Sequence, residues 1–390
     1  MIRSSHLAAN LSLAALALAS CGAEKLGAET AETAAAESGS TPFATAEVAT
    51  FDEPWAIAFA PGTATLFVTE KSGKLKLVDT KTGETAAVSG APAVDYGGQG
   101  GLGDIAFLPA EAGSTLGRRT VYLSWAEAGP DDTRGAVVGK GTLACTAPMT
   151  CTIEGLGVIW RQTPKVTGKG HYSHRIAVSP DGKHLYVASG ERQKMQPAQD
   201  TTNTLGSIVR LNLDGTPAAG NPLADKGGVS AEIWSWGHRN ILGMDWDAKG
   251  RLWEVEHGPA GGDELNLVQR AANYGWPVRS NGDHYNGDPI PDHAADDGFA
   301  QPALSWNPVI APGDMLIYTG TMFKSWQGHA LIAGLGSQAI VDVAFDGDKA
   351  SEVTRHEFDR RLRSLAQGPD GALWVAEDGK EGRLLKLTAQ

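Results

Sequence analysis

The chain of 390 residues has only three cysteines, no long apolar run and no excess of basic side chains. Lys and Arg total 33 against 45 Asp and Glu, which gives a formal net charge of -12. An acidic surface argues against a nucleic acid partner, because phosphate binding needs basic stripes. The apolar run at residues 11–18 is too short to cross a bilayer. Helical periodicity is weak after it, and the 49 glycines favour a loop-rich β fold.

The N-terminal segment has the features of an export signal. Arg3 supplies a positive start, the short apolar run follows, and Leu-Ala-Ser-Cys at residues 18–21 resembles a bacterial lipobox. We predict a lipoprotein signal peptide over residues 1–20, with lipid attached to Cys21 after cleavage. A plain secretory signal cut near the same point is the alternative. Gly22 replaces the Asp associated with inner-membrane retention, so we expect an exported, periplasmic protein anchored to the outer membrane.

Residues 21–42 are mostly Ala, Glu, Thr, Gly and Ser, which cannot bury a core and predict a flexible tether. The rest of the chain, residues 43–390, is expected to form one domain. Its two cysteines, Cys145 and Cys151, flank a turn-forming proline at 148. An exported compartment permits disulfides, so we expect a local disulfide here. Two thiols alone supply too few ligands for a metal site.

One pattern recurs along the predicted domain: an apolar strand, a turn rich in Pro, Asp or Gly, and a short strand with a bulky centre. Asp-Gly and Pro-Gly supply the φ values that tight turns need. Radially repeated units of this kind predict an all-β fold, a six-bladed β-propeller, with a plain β-sandwich as the alternative. Loops on one face would then build the site. The six units lie at residues 57–68, 105–123, 176–187, 244–255, 331–345 and 365–375.

Polar segments lie between these strands. Residues 97–103 are Gly-rich around Gln99, and glycine lets a backbone approach a planar ligand closely. His171 precedes the third unit and can act as a general base, because the pKa of histidine lies near neutrality. Arg239, in Gly-His-Arg-Asn at 237–240, can clamp a carboxylate or orient a hydroxyl. An ordinary loop, a surface histidine and a structural salt bridge are the respective alternatives.

A fourth segment, residues 256–266, combines acidic side chains with a Gly-Pro turn, and Asn-Tyr-Gly-Trp-Pro follows at 273–277. The turn exposes backbone carbonyls beside carboxylates, which are the ligands that a hard cation prefers. The segment does not match the twelve-residue EF-hand loop. A calcium loop and an ordinary acidic turn therefore both remain open on composition alone.

Together, the four segments resemble the soluble PQQ-dependent aldose sugar dehydrogenases of the glucose/sorbosone dehydrogenase family. The resemblance runs from about Pro54 to Leu387 and is strongest in residues 232–240 and 256–277. It implies a six-bladed propeller that binds PQQ and calcium and oxidises aldose sugars at C1 to lactones. It also implies that electrons pass to an external acceptor and that the substrate is a small sugar.

The resemblance implies a role for each matching residue. His171 matches the catalytic base, and Arg239 matches an arginine that contacts both quinone and sugar. Residues at cofactor-contacting positions are Gln99, Arg239, Asn240, Tyr285, Arg361 and Arg363. Carbonyls that match ligands of a calcium beside the quinone belong to Gly258 and Pro259. Ligands of a second, structural calcium are matched by Glu264 and Tyr274. Alternate residues on a strand point the same way, so Arg361 and Arg363 can face one polyanionic ligand.

The chain also departs from the family pattern. Ser173 and His174 stand where many members have two glycines, and the family's lysine near residues 335–337 is missing. Lys324 and Arg360 are the candidates to replace that cation. Two other functions stay open: a calcium-dependent lactonase or hydrolase, and a non-catalytic propeller that binds glycans or proteins. The joint presence of a base and several arginines favours the oxidoreductase.

Overall fold

The computed structural model describes residues 43–390, so the predicted signal peptide and tether lie outside the described residues. The described range contains 26 strands and five short 3-10 helices. None of the helices in this range is long and apolar enough to cross a membrane. The 3-10 helices are Pro109–Glu111, Gln196–Gln199, Ala224–Lys226, Gly228–Glu232 and Lys324–Trp326.

Six four-stranded antiparallel sheets form the blades of a propeller. The N-terminal strand, β1 (Phe43–Phe51), joins the last blade. Blade 1 contains β2 (Pro54–Phe59), β3 (Thr65–Glu70), β4 (Lys74–Asp79) and β5 (Thr85–Val88). Blade 2 contains β6 (Leu102–Phe107), β7 (Arg118–Ala128), β8 (Arg134–Ala147) and β9 (Thr150–Arg161). Blade 3 contains β10 (Ser173–Val178), β11 (His184–Ser189), β12 (Ser207–Asn212) and β13 (Ile233–Trp236).

The second half of the chain follows the same plan with one added hairpin. Blade 4 contains β14 (Ile241–Trp246), β15 (Leu252–Glu256), β17 (Asp263–Leu267) and β19 (Leu304–Trp306). The added hairpin pairs β16 (Ala260–Gly261) with β18 (Gly282–Asp283). Blade 5 contains β20 (Pro312–Ile317), β21 (Ala330–Gly334), β22 (Ala339–Asp346) and β23 (Lys349–Glu357). Blade 6 contains β24 (Leu362–Gln367), β25 (Leu373–Glu377), β26 (Gly382–Ala389) and β1.

The innermost strands contact one another in a closed ring, in the order β2, β6, β10, β14, β20, β24 and back to β2. Pairing of β1 with β26 joins the two ends of the described chain in one blade. The six-bladed propeller expected from the repeats is therefore confirmed. The fifth repeat is out of phase with the others: residues 331–345 form β21 and β22, and the innermost strand β20 lies before them.

Buried polar side chains link neighbouring innermost strands. Asp104 accepts the backbone N–H of Ile176 on the next blade at 2.8 Å. Asp314 likewise accepts the N–H of Leu365 at 3.1 Å, and Arg175 lies within 3.4 Å of both carboxylates. Burial raises the pKa of Asp104 to about 6. These contacts satisfy polar groups that would otherwise be costly to bury, and they fix the spacing of the blades.

Every blade has a register shift between its innermost and second strands, near the start of the innermost strand. Such bulges re-aim side chains and often lie beside active sites. In an antiparallel blade, the start of the first strand and the end of the second lie at the same edge. The irregular segments therefore gather on one face of the ring.

The two cysteines of the domain form the predicted disulfide. Cys145 and Cys151 face each other across the β8–β9 hairpin, and their sulfurs are bonded. The hairpin lies on blade 2, and the bond closes its tip.

Candidate active site

A cavity of about 300 Å³ opens on the face where the six register shifts lie. It lies at the lower end of the size range of ligand pockets. Its walls come from the starts of the innermost strands and the ends of the second strands, as the antiparallel geometry requires. The predicted residues that line it are Gln99, Asn240, Arg361 and Arg363. Side chains that also line it are Glu53, Trp55, Lys71, Tyr172, Ser173, His174, Leu242, His257, Leu335 and Asp378.

His171 lies two residues before β10, next to the cavity-lining residues Tyr172 and Gln99 but not itself in the lining. Its backbone N–H donates to Gln99 Oε1 at 2.6 Å, so two predicted residues are in contact. Its imidazole Nδ1 is hydrogen-bonded to the carboxylate of Glu191. Burial lowers the pKa of His171 below its ordinary value, against the opposing effect of Glu191. Burial would raise the pKa of Glu191, but hydrogen bonds from His171 and from the Met195 backbone N–H help to lower it.

This arrangement makes His171 a neutral imidazole beside a carboxylate anion near neutral pH. Nδ1 carries the proton because the Glu191 oxygen can only accept it. Nε2 is then left with a free lone pair, which is the state that a general base requires. Glu191 therefore acts as a positioning residue.

The backbone around this base is held in unusual conformations. His171, Ser173 and His174 have positive φ angles of 47°, 57° and 54°. Left-handed conformations are uncommon for residues other than glycine and cost about 1–3 kcal/mol each. Such residues concentrate at functional sites, where the surrounding structure holds them in place.

Arg239 lies on the loop between β13 and β14, next to the cavity. Its guanidinium donates to the His257 carbonyl oxygen at 3.1 Å and to the Tyr285 hydroxyl at 3.2 Å. It also lies over the Trp276 ring, 5.1 Å from the centroid. The Nε atom is buried and has no hydrogen-bond partner among the described residues. Tyr285 is 77% exposed, so it covers the guanidinium from the solvent side.

Arg361 and Arg363 both line the cavity, as expected, but not by simple alternation on a strand: Arg361 lies just before β24, and a register shift falls between Leu362 and Ser364. Each guanidinium Nε donates to the Asp378 carboxylate at 2.9 Å. Two positive charges against one carboxylate leave an excess positive charge on this wall. Burial lowers the pKa of Arg363, and an anionic ligand would offset that burial.

The two cations expected to replace the missing family lysine lie outside the lining of the cavity, which contains Lys71 instead. Neither Lys324 nor Arg360 lines the cavity; Arg360 instead donates to the Glu381 carbonyl oxygen at 2.9 Å. Lys71, at the end of β3, does line the cavity and donates to the Gly98 carbonyl oxygen at 3.0 Å. Leu335 occupies the wall near the position where a lysine was expected.

His174 fills space beneath the cavity instead of leaving it open. Its ring stacks on Trp55 with 4.8 Å between centroids, and Nδ1 lies 2.9 Å from the Ser124 hydroxyl. A Cβ atom at Gly103 would lie 1.9 Å from the His174 ring, so glycine is required there. Burial lowers the pKa of His174 to about 3, which keeps the ring neutral.

The predicted metal-binding residues lie beside the cavity, around a small void of about 10 Å³. Gly258, Glu264 and Tyr274 line this void together with Arg239 and His257. Pro259 follows Gly258 in the same turn and is buried. His257 also lines the main cavity, so the two spaces share a wall.

The void is rich in oxygen atoms. A Cβ atom on Gly258 would lie 2.3 Å from the Gly261 carbonyl oxygen and 2.2 Å from that of Gly262. The Tyr274 hydroxyl donates to the Leu267 carbonyl oxygen at 2.6 Å and accepts from the Gln269 N–H, so only its main-chain carbonyl remains as a ligand. Crowded carbonyls and a carboxylate fit a hard cation.

Comparison with known proteins agrees with this geometry. Residues 51–386 match the family described as Glucose / Sorbosone dehydrogenase. The chain belongs to that family. It is 36% identical over 343 residues to the aldose sugar dehydrogenase YliI of Escherichia coli (strain K12), covering 86% of this chain and 90% of the relative.

Solved structures of family members superpose on most of the chain. The apo form of the soluble aldose sugar dehydrogenase of Escherichia coli is 34% identical, with a TM-score of 0.82, over 89% of this chain and 100% of that one. The PQQ-bound form of an aldose sugar dehydrogenase from Streptomyces coelicolor is 27% identical, with a TM-score of 0.71. It covers 89% of this chain and 98% of the Streptomyces chain.

Glu191, Asp378, Lys71 and His257 were missed in the sequence. Each of the four lies one or two residues after the end of the second strand of its blade, at the edge where the innermost strands begin. The repeats locate these ends, so polar residues directly after each second strand were the signal that could have found them.

Proposed function

We propose that the chain is a PQQ- and calcium-dependent enzyme that oxidises aldose sugars at C1 to lactones and passes the electrons to an external acceptor. The observation that carries this proposal is the buried His171–Glu191 pair, which contacts the cavity-lining Gln99, next to a cavity that Arg361 and Arg363 also line. Family membership and the PQQ-bound relative support it.

The cavity residues fit the cofactor. PQQ is planar and carries three carboxylates, and the cavity offers Lys71, Arg361 and Arg363 as cations. Gln99 and Asn240 add amide groups to the lining of the same cavity. Arginine binds carboxylates through paired N–H groups, so these side chains would hold the acidic edge of the ligand. Calcium would take the carbonyls of Gly258 and Pro259, and a second calcium would take Glu264 and the main chain of Tyr274.

When bound, the quinone would supply the hydride acceptor, and calcium beside it a Lewis acid. The chain's own contribution begins with His171. Its Nε2 takes the proton of the sugar's anomeric hydroxyl, and Glu191 stabilises the imidazolium that forms. Because the acquired charge is buried, the Glu191 carboxylate is worth more there than in water.

Arg239 contributes orientation and charge. Its guanidinium is held by the His257 carbonyl, the Trp276 ring and the Tyr285 hydroxyl, so its direction is fixed before a ligand arrives. The unpartnered Nε and the fixed geometry suit it to stabilise negative charge that develops on oxygen during the reaction. Tyr285 is exposed and would lie between this arginine and the solvent.

The experiment that tests this proposal is a reconstitution assay. Purified protein is stripped with chelator and assayed for dye reduction with a panel of aldoses, with PQQ and calcium added separately and together. We expect dye reduction only when both are present. Sugar or glycan binding without turnover would favour the non-catalytic propeller, and lactone hydrolysis that needs calcium alone would favour the hydrolase.

We further propose that the enzyme is exported and held at the outer membrane through lipid on Cys21, with the membrane contacted only by that anchor. The lipobox at residues 18–21 supports this proposal. We also expect no nucleic acid partner, because the chain carries a formal net charge of -12.

A further inference from the structure

A second cluster of ligand-type side chains is buried beneath the loop that carries Arg239. Glu254 and Glu256 on β15 point to the same side of blade 4, because alternate residues of a strand share a face. Cross-strand pairing places Asn266 opposite Glu254 and Glu264 opposite Glu256 on β17. His238, from the preceding loop, completes the cluster, and its side chain is 1% exposed.

The distances in this cluster are those of a coordination sphere. His238 Nδ1 lies 3.2 Å from Glu256 Oε1 and 3.5 Å from Glu254 Oε1. One ligand atom from each of the three residues lies within 4.8 Å of the others. Ligands roughly 2.1 Å from a tetrahedral ion are separated from one another by about 3.4 Å. The two distances from His238 Nδ1 are therefore compatible with three ligands around one ion.

The outer contacts hold each ligand in place. The Ser235 hydroxyl lies 2.9 Å from His238 Nε2. When Nε2 donates its proton to this hydroxyl, Nδ1 carries the lone pair and can bind a metal ion. Asn266 Nδ2 donates to Glu254 Oε1 at 2.8 Å. Glu256 Oε2 accepts the backbone N–H of Asn240 at 3.1 Å. Hydrogen bonds to the far side of each ligand are typical of metal sites.

The cluster also contains oxygen atoms that lack partners. Glu254 Oε2 and Asn266 Oδ1 are buried, and neither has a hydrogen-bond partner within the described part of the chain. Glu254 and Asn266 are each 0% exposed. Buried oxygens without partners are costly, so the cluster needs either a bound cation or shared protons to satisfy them.

We propose that His238, Glu254 and Glu256 bind a small divalent transition-metal ion of the zinc or manganese type, adjacent to the void at Gly258 and Glu264, which Glu256 also lines. One nitrogen and two carboxylate oxygens are a ligand set for such ions. The metal would be structural, because the three side chains are buried and Glu256 also accepts the backbone N–H groups of Arg239 and Asn240. It would thereby position the loop that carries Arg239.

The test measures metal content and binding without PQQ, so its outcome is independent of sugar oxidation. Full-length protein is stripped with chelator and saturated with Ca²⁺, and Zn²⁺ is then titrated by calorimetry. We expect about one equivalent of Zn²⁺ to bind in the presence of excess Ca²⁺. Glu254→Gln should weaken Zn²⁺ binding roughly tenfold or more. Glu232→Gln is the matched control, because Glu232 accepts the Trp160 indole N–H away from the cluster and its removal should leave Zn²⁺ binding unchanged.

Two results would overturn the proposal. The first is that Zn²⁺ does not bind once Ca²⁺ is saturating, which would mean that the cluster is an ion pair that shares protons. The second is that Zn²⁺ binds equally well to the Glu254→Gln protein. If that variant does not fold, Co²⁺ replaces the variant as the probe. Visible d–d absorption of Co²⁺ bound to the wild-type protein is expected from nitrogen and oxygen ligands in a tetrahedral site, and its absence contradicts the site.

Discussion

Replacing Glu191 by Gln tests the role of the buried carboxylate behind His171. The substitution keeps the size of the side chain but removes the charge that the imidazole N–H meets. A hydrogen bond to a charged group contributes about 1.5–3 kcal/mol. If that energy is felt when His171 becomes an imidazolium, kcat should fall roughly 10- to 100-fold. PQQ affinity should change little, because Glu191 does not line the cavity.

The pH profile separates this role from a merely structural one. His171 must be neutral to accept a proton, so activity is lost as the pH falls through its pKa. Burial sets that pKa below its ordinary value while Glu191 pulls it upward. Removing the carboxylate should therefore move the acid limb of the kcat profile to lower pH while lowering the plateau.

Steady-state dye reduction from pH 4 to 9 measures both effects, with Glu232→Gln as a control for loss of a partly buried carboxylate elsewhere. A lower plateau with an unmoved or upward-shifted acid limb would refute the assignment of Glu191 as the partner of the base. So would wild-type activity in the variant.

Three further predictions follow from the arrangement of charges and covalent links. Arg363→Met should weaken PQQ binding roughly 10- to 100-fold in a fluorescence titration at fixed calcium, since a charged contact is lost. Arg355→Met is the control: Arg355 is exposed and pairs with the carboxylate of Glu352, so its loss should leave PQQ binding unchanged. Cys145→Ser should lower the free energy of unfolding by about 2 kcal/mol, because the disulfide spans only six residues, and an unchanged thermal midpoint would contradict this. Cys21→Ala should release the protein from the membrane fraction, and persistent membrane association would place the anchor elsewhere.

The fold was predictable because each blade repeats a local pattern. Five of the six innermost hairpins match the repeat in phase, and three of them carry a Pro-Gly or Asp-Gly turn, at residues 61–62, 181–182 and 370–371. The fifth blade begins with Pro312–Ile317, whose residues are all buried and do not alternate. A strand buried on both faces does not alternate between apolar and polar residues, so the repeat pattern identified the next two strands, β21 and β22, and missed β20.

The site was predictable only where the resemblance supplied residues. Composition and spacing marked His171, Arg239 and the Gly-Pro turn but left several chemistries open. The partner of the base lies 20 residues further along the chain and reaches it only because β10 and β11 run antiparallel. Likewise, Asp378 meets Arg361 and Arg363 across the β24–β25 hairpin. Contacts of this kind depend on the pairing register of the two strands, which cannot be read from the sequence alone.

The measurement that tests the central claim most directly is a single turnover followed at the reacting carbon. PQQ- and calcium-loaded protein is mixed with one equivalent of an aldose labelled with ¹³C at C1, without any electron acceptor, and the label is observed by NMR. We expect about one equivalent of lactone per active site for the wild-type protein, and slowing by roughly 10²–10⁴-fold in a His171→Ala variant that still binds PQQ. An unchanged C1 resonance in the loaded wild-type protein across a panel of aldoses, or equal rates in the two proteins, would contradict it.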